Sequence, residues 1–237
     1  MGGDTNTSCA RLKTTVIIPA LDEAGNIASL VTEVLAMAPA GVIVVDNGSS
    51  DATALEARSA GALVVSEPRR GYGYACAAGV AAAQDADVLV FLDGDYSFLP
   101  SDLPALLQPL ESDRADLVLG SRWLGRIEPG SMPLPQRFGN WLVARLTNRL
   151  YGLTITDLGP YRAVRRSLID QLDLREMTFG WPIEMIVKAA KRNACILEVP
   201  VSYRNRRAGR SKVSGTLRGT LLAGWRILNV MLRYAAK

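Results

Sequence analysis

Short apolar runs alternate with amphipathic stretches through the first half of the chain. Runs with strand character occur at Thr15–Pro19, Val42–Asp46, Ala62–Ser66, Val88–Asp93 and Leu117–Gly120, and helical periodicity fills the gaps at Ile27–Met37, Thr53–Ala60, Tyr74–Gln84 and Asp102–Leu110. The strand runs are continuously apolar rather than alternating, the pattern expected when helices cover both faces of a parallel sheet. Short connections between strand and helix predict an α/β fold with a doubly wound, mostly parallel sheet and flanking helices. Ligands of such folds gather beyond the carboxyl ends of the strands. Three polar clusters fall there: PALDE after the first strand, DNGSSD after the second and DGD at the end of the fourth.

The pattern changes after Gly120. A proline-rich loop, Ile127–Pro135, precedes a helix over Arg137–Tyr151 with Phe138, Leu142, Leu146 and Leu150 at fourfold spacing. The stretch Thr156–Val164 reads as irregular. Helical segments follow at Ser167–Leu172 and Pro182–Arg192, then a strand at Ile196–Tyr203, a basic loop and a terminal amphipathic helix. No linker or repeat divides the chain. Residues 1–237 are expected to form one domain, with a first half (about 14–122), a second half (about 123–213) and the terminal helix (about 214–237).

Composition narrows the chemistry. A chain of 237 residues, 49% hydrophobic, can bury a sizeable core. It has no histidine, which excludes Ser/His/Asp hydrolysis and His-ligated zinc and leaves carboxylates, cations, hydroxyls or a metal. Cys9, Cys76 and Cys195 are too scattered for a disulfide framework or a metal-ligand set. No run reaches the ~18 apolar residues of a spanning helix, and MGGDTNTSCARLK lacks a signal-peptide core, so a cytoplasmic location is expected. Charge is unevenly placed. From Val199 to Lys237 there are nine Lys or Arg and no acid, leaving 18 basic against 23 acidic groups elsewhere. A basic tail on an acidic body points to an anionic partner such as phosphate or a lipid headgroup. Nucleic acid is not expected, because the tail lacks regular aromatic interleaving and carries no recognised binding motif.

In VLVFLDGDYS a buried strand runs directly into Asp93, Gly94 and Asp95, and the glycine permits a sharp bend. Two adjacent carboxylates repel unless a cation lies between them, and Mg²⁺ or Mn²⁺ suits oxygen ligands. A solvated turn is the plain alternative. GYGYACAAG, Gly71–Gly79, begins like a dinucleotide-binding loop, but Cys76 stands at the third glycine position and no acidic partner follows.

These motifs together resemble the family-2 glycosyltransferases of the GT-A fold, and within them the dolichol- and polyprenol-phosphate sugar synthases. VIIPALDE resembles the family's first nucleotide-contacting loop and VVDNGSSD its VVDDGSxD segment. FLDGDYSFLP resembles its DxD segment, GSR the turn that follows, TDLGPYRA its DxxxGFR stretch and RRAGRSK its late basic loop. The resemblance implies an inverting, metal-dependent hexosyl transfer from a UDP- or GDP-sugar to a lipid-linked acceptor, most naturally a polyprenyl phosphate. It places Pro19, Ala20, Leu21, Glu23 and Asp46 at the nucleotide, and Asp93 and Asp95 at Mg²⁺ or Mn²⁺. The family commonly has a second acid where this chain has Asn47. Arg69 or Arg70 can supply the charge that the family places near Tyr72.

Arg122, Arg206, Arg207, Ser211 and Lys212 are the candidate phosphate grips, and Arg137 a candidate for the acceptor's phosphate. Should the acceptor be a hydroxyl, a base is required, and Asp157 is the first choice with Glu184 behind it. Leu217, Leu221, Trp225, Leu228 and Leu232 align on one face of the terminal helix, which either lies on an anionic membrane surface or docks on the protein's own core. A nucleotidyltransferase and a non-catalytic membrane-surface module are the alternative functions.

Overall fold

A computed structural model describes residues 12–208 and 227–234. Strands β1 (Thr14–Ala20), β2 (Gly41–Asp46), β3 (Leu63–Ser66), β4 (Val88–Phe91), β5 (Leu117–Ser121), β6 (Arg162–Arg165) and β7 (Ile196–Pro200) form one sheet. Its order is β3-β2-β1-β4-β6-β5-β7. β6 runs antiparallel to both β4 and β5, while every other pairing is parallel. The helices are α1 (Ala24–Ala36), α2 (Thr53–Ser59), α3 (Tyr72–Ala82), α4 (Leu103–Glu111), α5 (Leu134–Tyr151), α6 (Arg166–Leu172) and α7 (Trp181–Lys191).

The strand pleat divides the apolar runs between two cores. Ile17, Leu89 and Phe91 face a layer with α3, α5, α6 and α7, whereas Val16, Ile18, Val88 and Val90 face α1, α2 and α4. Trp181, 1% exposed, anchors the first layer by packing edge-on against Phe91 at 4.8 Å between ring centroids. Burial of one such side chain contributes about 1.5–3 kcal/mol.

Each strand and helix expected in the first half forms, with ends shifted by one to three residues. β4 stops at Phe91 rather than Asp93, so the acidic motif lies in the turn beyond the sheet. The stretch read as irregular contains β6, whose buried Arg162 donates to Pro182 O (2.8 Å) and Leu158 O (2.9 Å). Those carbonyls let a charged residue occupy a central strand. The last expected strand ends at Pro200; Tyr203 instead makes isolated bridges to Phe98 and Ile127.

Residues 227–234 are helical and dock on the protein's own core. Val230 and Met231 are buried, Tyr151 Oη donates to Met231 O (2.5 Å), and Tyr234 Oη donates to Glu184 Oε1 (2.6 Å). The docked face carries Val230 and Met231, with Leu228 of the expected stripe packed beside them, whereas Leu232 is exposed. Leu217, Leu221 and Trp225 lie outside the described residues. No helix among the described residues is long and apolar enough to cross a membrane.

Candidate active site

The site begins where β4 ends. A Cβ on Gly94 would come within 3.1 Å of Pro19 O and 3.3 Å of Ala20 Cβ, so the acidic turn packs against the end of β1 only because this residue has no side chain. The left-handed position of the turn belongs to Tyr96 (φ 60°), not to the glycine. Asp95 closes the turn. Its Oδ1 accepts from Ser97 N (2.9 Å) and Ser97 Oγ (2.6 Å), leaving Oδ2 to meet Arg206 Nη2 at 2.7 Å. Arg206 also reaches Glu23 Oε1 at 3.1 Å, tying the β1–α1 loop to the acidic turn.

Asp93 lies deeper in charge terms. Burial first, and the Asp95 charge second, push its carboxyl up to about 7, although the Tyr72 hydroxyl, Arg206 and Arg122 pull it back. Such a pair is short of positive charge near neutral pH. Among the described residues no cluster of three or more His, Cys, Asp or Glu side chains surrounds a common point. Two carboxylates are thus what this turn would offer a hard cation, which would need further oxygen ligands from elsewhere.

Two clefts meet at this turn, sharing Asp93, Asp95 and Arg206. The first, about 440 Å³, is lined by Pro19, Ala20, Leu21 and Glu23 as expected, together with Asn47, Arg70, Gly71 and Tyr72. The second, about 660 Å³, extends past Arg122, Asn140, Tyr203 and Arg204 to an apolar wall of α5 and residues 227–228.

Several expected residues stand elsewhere. Asp46 does not line the first cleft; its Oδ1 accepts from Ser49 N (3.0 Å) and shapes the loop after β2. Asn47 has all its amide capacity in use. Its Nδ2 donates to Glu67 O and Arg69 O at 2.9 and 2.8 Å, and its Oδ1 accepts from Gly71 N at 2.9 Å. An amide holds that loop where a second acid could not donate. Arg69 pairs with Glu67 and stacks on Tyr74, so Arg70 alone of the two enters the cleft. The glycines of GYG have a packing role, because a Cβ on Gly71 or Gly73 would lie 2.4 Å from the carbonyl of Met177 or Glu176.

Asp157 braces Arg122. Fully buried, it takes Arg122 Nε and Nη2 at 2.7 Å each, Arg122 N at 2.9 Å and Leu158 N at 2.7 Å. Burial alone would raise its carboxyl, but the Arg122 charge and hydrogen bonds outweigh burial and hold it below the ordinary carboxylate value. It lines neither cleft. Glu184 is equally occupied, accepting from Arg175 N, Glu176 N, Tyr234 Oη and Lys188 Nζ between 2.6 and 2.9 Å. Neither carboxylate is placed to take a substrate proton.

Arg122 lines the second cleft with its guanidinium fixed by Asp157 and stacked 5.1 Å over Tyr203. Arg137 stacks on Trp123 at 5.1 Å and lines neither cleft. Arg207 lies over the Tyr96 ring at 5.8 Å and lines neither cleft, while Arg204 stacks on the same ring at 4.2 Å and does line the second cleft. Ser211 and Lys212 lie outside the described residues. Tyr72, Asn140 and Arg204 are the cleft residues that the sequence did not reveal. Only Arg204 carried a signal there, as part of a charge run that could not rank its members.

Comparison with known proteins agrees with this geometry. The model of Glycosyl transferase family 2 matches residues 15–173. An uncharacterized glycosyltransferase of Mycobacterium tuberculosis is 39% identical over 221 residues, covering 91% of this chain and 97% of that protein. The polyprenol monophosphomannose synthase of Mycolicibacterium smegmatis is 30% identical, covering 91% and 86%. Among solved structures, glucosyl-3-phosphoglycerate synthase from Mycobacterium tuberculosis, in complex with Mn²⁺, UDP-glucose and phosphoglyceric acid, superposes with a TM-score of 0.77 at 25% identity, over 96% of this chain and 81% of that one. The chain is a glycosyltransferase and belongs to glycosyl transferase family 2.

Proposed function

We propose that the protein moves a hexose from a UDP- or GDP-sugar to the phosphate of a polyprenyl lipid, with inversion at the anomeric carbon. One observation carries the choice of acceptor. Among the described residues the only carboxylates lining the second cleft are Asp93 and Asp95, Asp157 is spent on Arg122, and residues 209–226 contain no acid. A hydroxyl acceptor would need a base on that side, whereas a phosphate monoester is already ionised and needs none. The apolar wall of the same cleft suits a hydrocarbon chain, and the mycobacterial relative named as a polyprenol monophosphomannose synthase supports the same class.

In this reading the first cleft holds the nucleotide, with Glu23 and Arg70 as its charged lining. Asp93 and Asp95 hold Mg²⁺ or Mn²⁺, which when bound stabilises negative charge on the diphosphate. Arg206, already at Asp95, adds a guanidinium to the same oxygens. Arg122, braced by Asp157, orients the acceptor phosphate on the opposite side of the sugar. A phosphate oxygen forms the new bond to the anomeric carbon as the bond to the nucleoside diphosphate breaks, and the diphosphate leaves with the electron pair. Exposed Leu134, Phe138 and Trp141 on α5, with Arg145 over the Trp141 ring, form the surface we assign to the lipid headgroup boundary.

The test incubates the purified chain with polyprenyl phosphate in vesicles and labelled UDP- or GDP-hexoses, with and without Mn²⁺. A lipid-soluble product labile to mild acid, with release of nucleoside diphosphate, is expected. Transfer confined to neutral hydroxyls, or transfer undiminished by chelation, would overturn the reading.

A further inference from the structure

α5 spans 18 residues and carries Gly139 inside its first half. A glycine in a helix interior is destabilising relative to alanine, so a fold-based reason for it is sought first. Neither usual reason applies. Gly139 is absent from the residues with positive φ. Among the described residues a Cβ there would meet nothing within 4 Å, whereas a Cβ on Gly79, Gly120 or Gly125 would come within 2.8 Å of a neighbour. What Gly139 borders is open space: it lines the second cleft with Pro135, Leu142 and Val143 of α5, opposite Ile227 and Leu228. The next residue, Asn140, also lines the cleft. Its Oδ1 accepts from Leu158 N (3.3 Å) and lies 3.5 Å from Arg122 Nη2, which fixes the amide orientation beside the guanidinium.

We propose that Gly139 is a specificity-determining residue that keeps the second cleft wide enough for the hydrocarbon chain of the acceptor, just beyond the point where Arg122 and Asn140 receive its polar head. The inference rests on the lipid-phosphate reading above. Position explains the residue: one side-chain-free turn of α5 separates the polar end of the cleft from its Leu142, Val143, Ile227 and Leu228 wall. A bulky side chain at 139 fills the passage without touching the acidic turn, the nucleotide cleft or the helix backbone.

The experiment compares wild type with Gly139→Ala and Gly139→Phe in the full chain. Thermal unfolding, Mn²⁺-dependent UDP binding and hydrolysis of the sugar nucleotide without acceptor report on fold and donor site. Transfer is measured to a long-chain polyprenyl phosphate and to a ten-carbon isoprenyl phosphate. Gly139→Ala is expected to unfold no earlier than wild type and to lose transfer to the long acceptor by a smaller factor than Gly139→Phe. Gly139→Phe is expected to lose about ten-fold or more in kcat/KM for the long acceptor, to lose less for the short one and to keep UDP binding and hydrolysis. Equal loss for both acceptors, or wild-type transfer by Gly139→Phe, overturns the assignment. Wild type that uses neither acceptor overturns the lipid-phosphate reading itself.

Discussion

Arg206 Nη2 stands 2.7 Å from Asp95 Oδ2, so a cation from the far end of the chain occupies one face of the acidic turn. The contact neutralises part of the charge that attracts a metal. Arg206→Ala is expected to tighten Mn²⁺ binding several-fold in the absence of nucleotide, since about 1 kcal/mol of repulsion per pair of unit charges at close range is removed even at the dielectric of bulk water. The same variant is expected to lower kcat/KM for the sugar nucleotide by about 10- to 100-fold, because a charge-assisted bond to the diphosphate is lost. Calorimetric titration and steady-state kinetics together check the opposite signs.

Asp93 gives the site a pH dependence. Its carboxyl, pushed up to about 7 in the metal-free chain, must lose a proton before it can hold a cation. Mn²⁺ affinity is expected to rise about ten-fold per pH unit below 7 and to level off above it. Stability of the metal-free chain runs the other way. The folded value lies above the unfolded one, so the fold binds the proton more tightly. The stabilising contribution is present at low pH and is lost as pH rises through 7, by at most about 1.4 kcal/mol per unit. Thermal unfolding from pH 5 to 8, with and without Mn²⁺, measures both slopes, and Asp93→Asn is expected to flatten them.

Asp157 and Arg122 are both buried, and each satisfies the other. Asp157→Ala is expected to destabilise the fold by about 3–5 kcal/mol by leaving a buried guanidinium unpaired. Replacing both, as Arg122→Met with Asp157→Leu, is expected to recover part of that stability but none of the transfer. Denaturant titration of the single and double variants reads the difference. A catalytic base at 157 would give the reverse pattern, with activity lost and stability kept.

Phe138 and Trp141 are 63% and 50% exposed on α5. Changing both to Ser is expected to weaken sedimentation with anionic vesicles by about 10-fold or more, given about 1.5–3 kcal/mol for full burial of such a side chain. UDP binding in the presence of Mn²⁺ is expected to remain unchanged. Equal vesicle binding by the variant and wild type would remove α5 from the lipid surface.

The strands and helices of the first half were legible because their signals are local: an apolar run ending in Asp93, Gly94 and Asp95 needs no distant residue to be read. β6 was not. Four residues bounded by Arg162 and Arg165 carry no strand pattern, and only the carbonyls of Leu158 and Pro182 make Arg162 tolerable inside. The partner of Asp157 was not legible either, because Arg122 lies 35 residues away. Arg206 and Arg207 are indistinguishable in sequence, yet one reaches Asp95 and the other Tyr96. Contacts fixed by tertiary approach left no periodic trace.

The reversed direction of β6 has a consequence for how such a site can diversify. Parallel strands deliver the loops that follow them to the reacting edge, as β4 delivers Asp93 and Asp95 and β5 delivers Arg122. An antiparallel strand delivers the loop that precedes it, and so Asp157–Pro160 arrives at the same edge from the opposite chain direction. Segments between β5 and β6 can therefore lengthen, shorten or change chemistry while both of their ends stay pinned by the sheet. The strands and loops upstream are left undisturbed, and one side of the cleft becomes a separately editable part of the molecule.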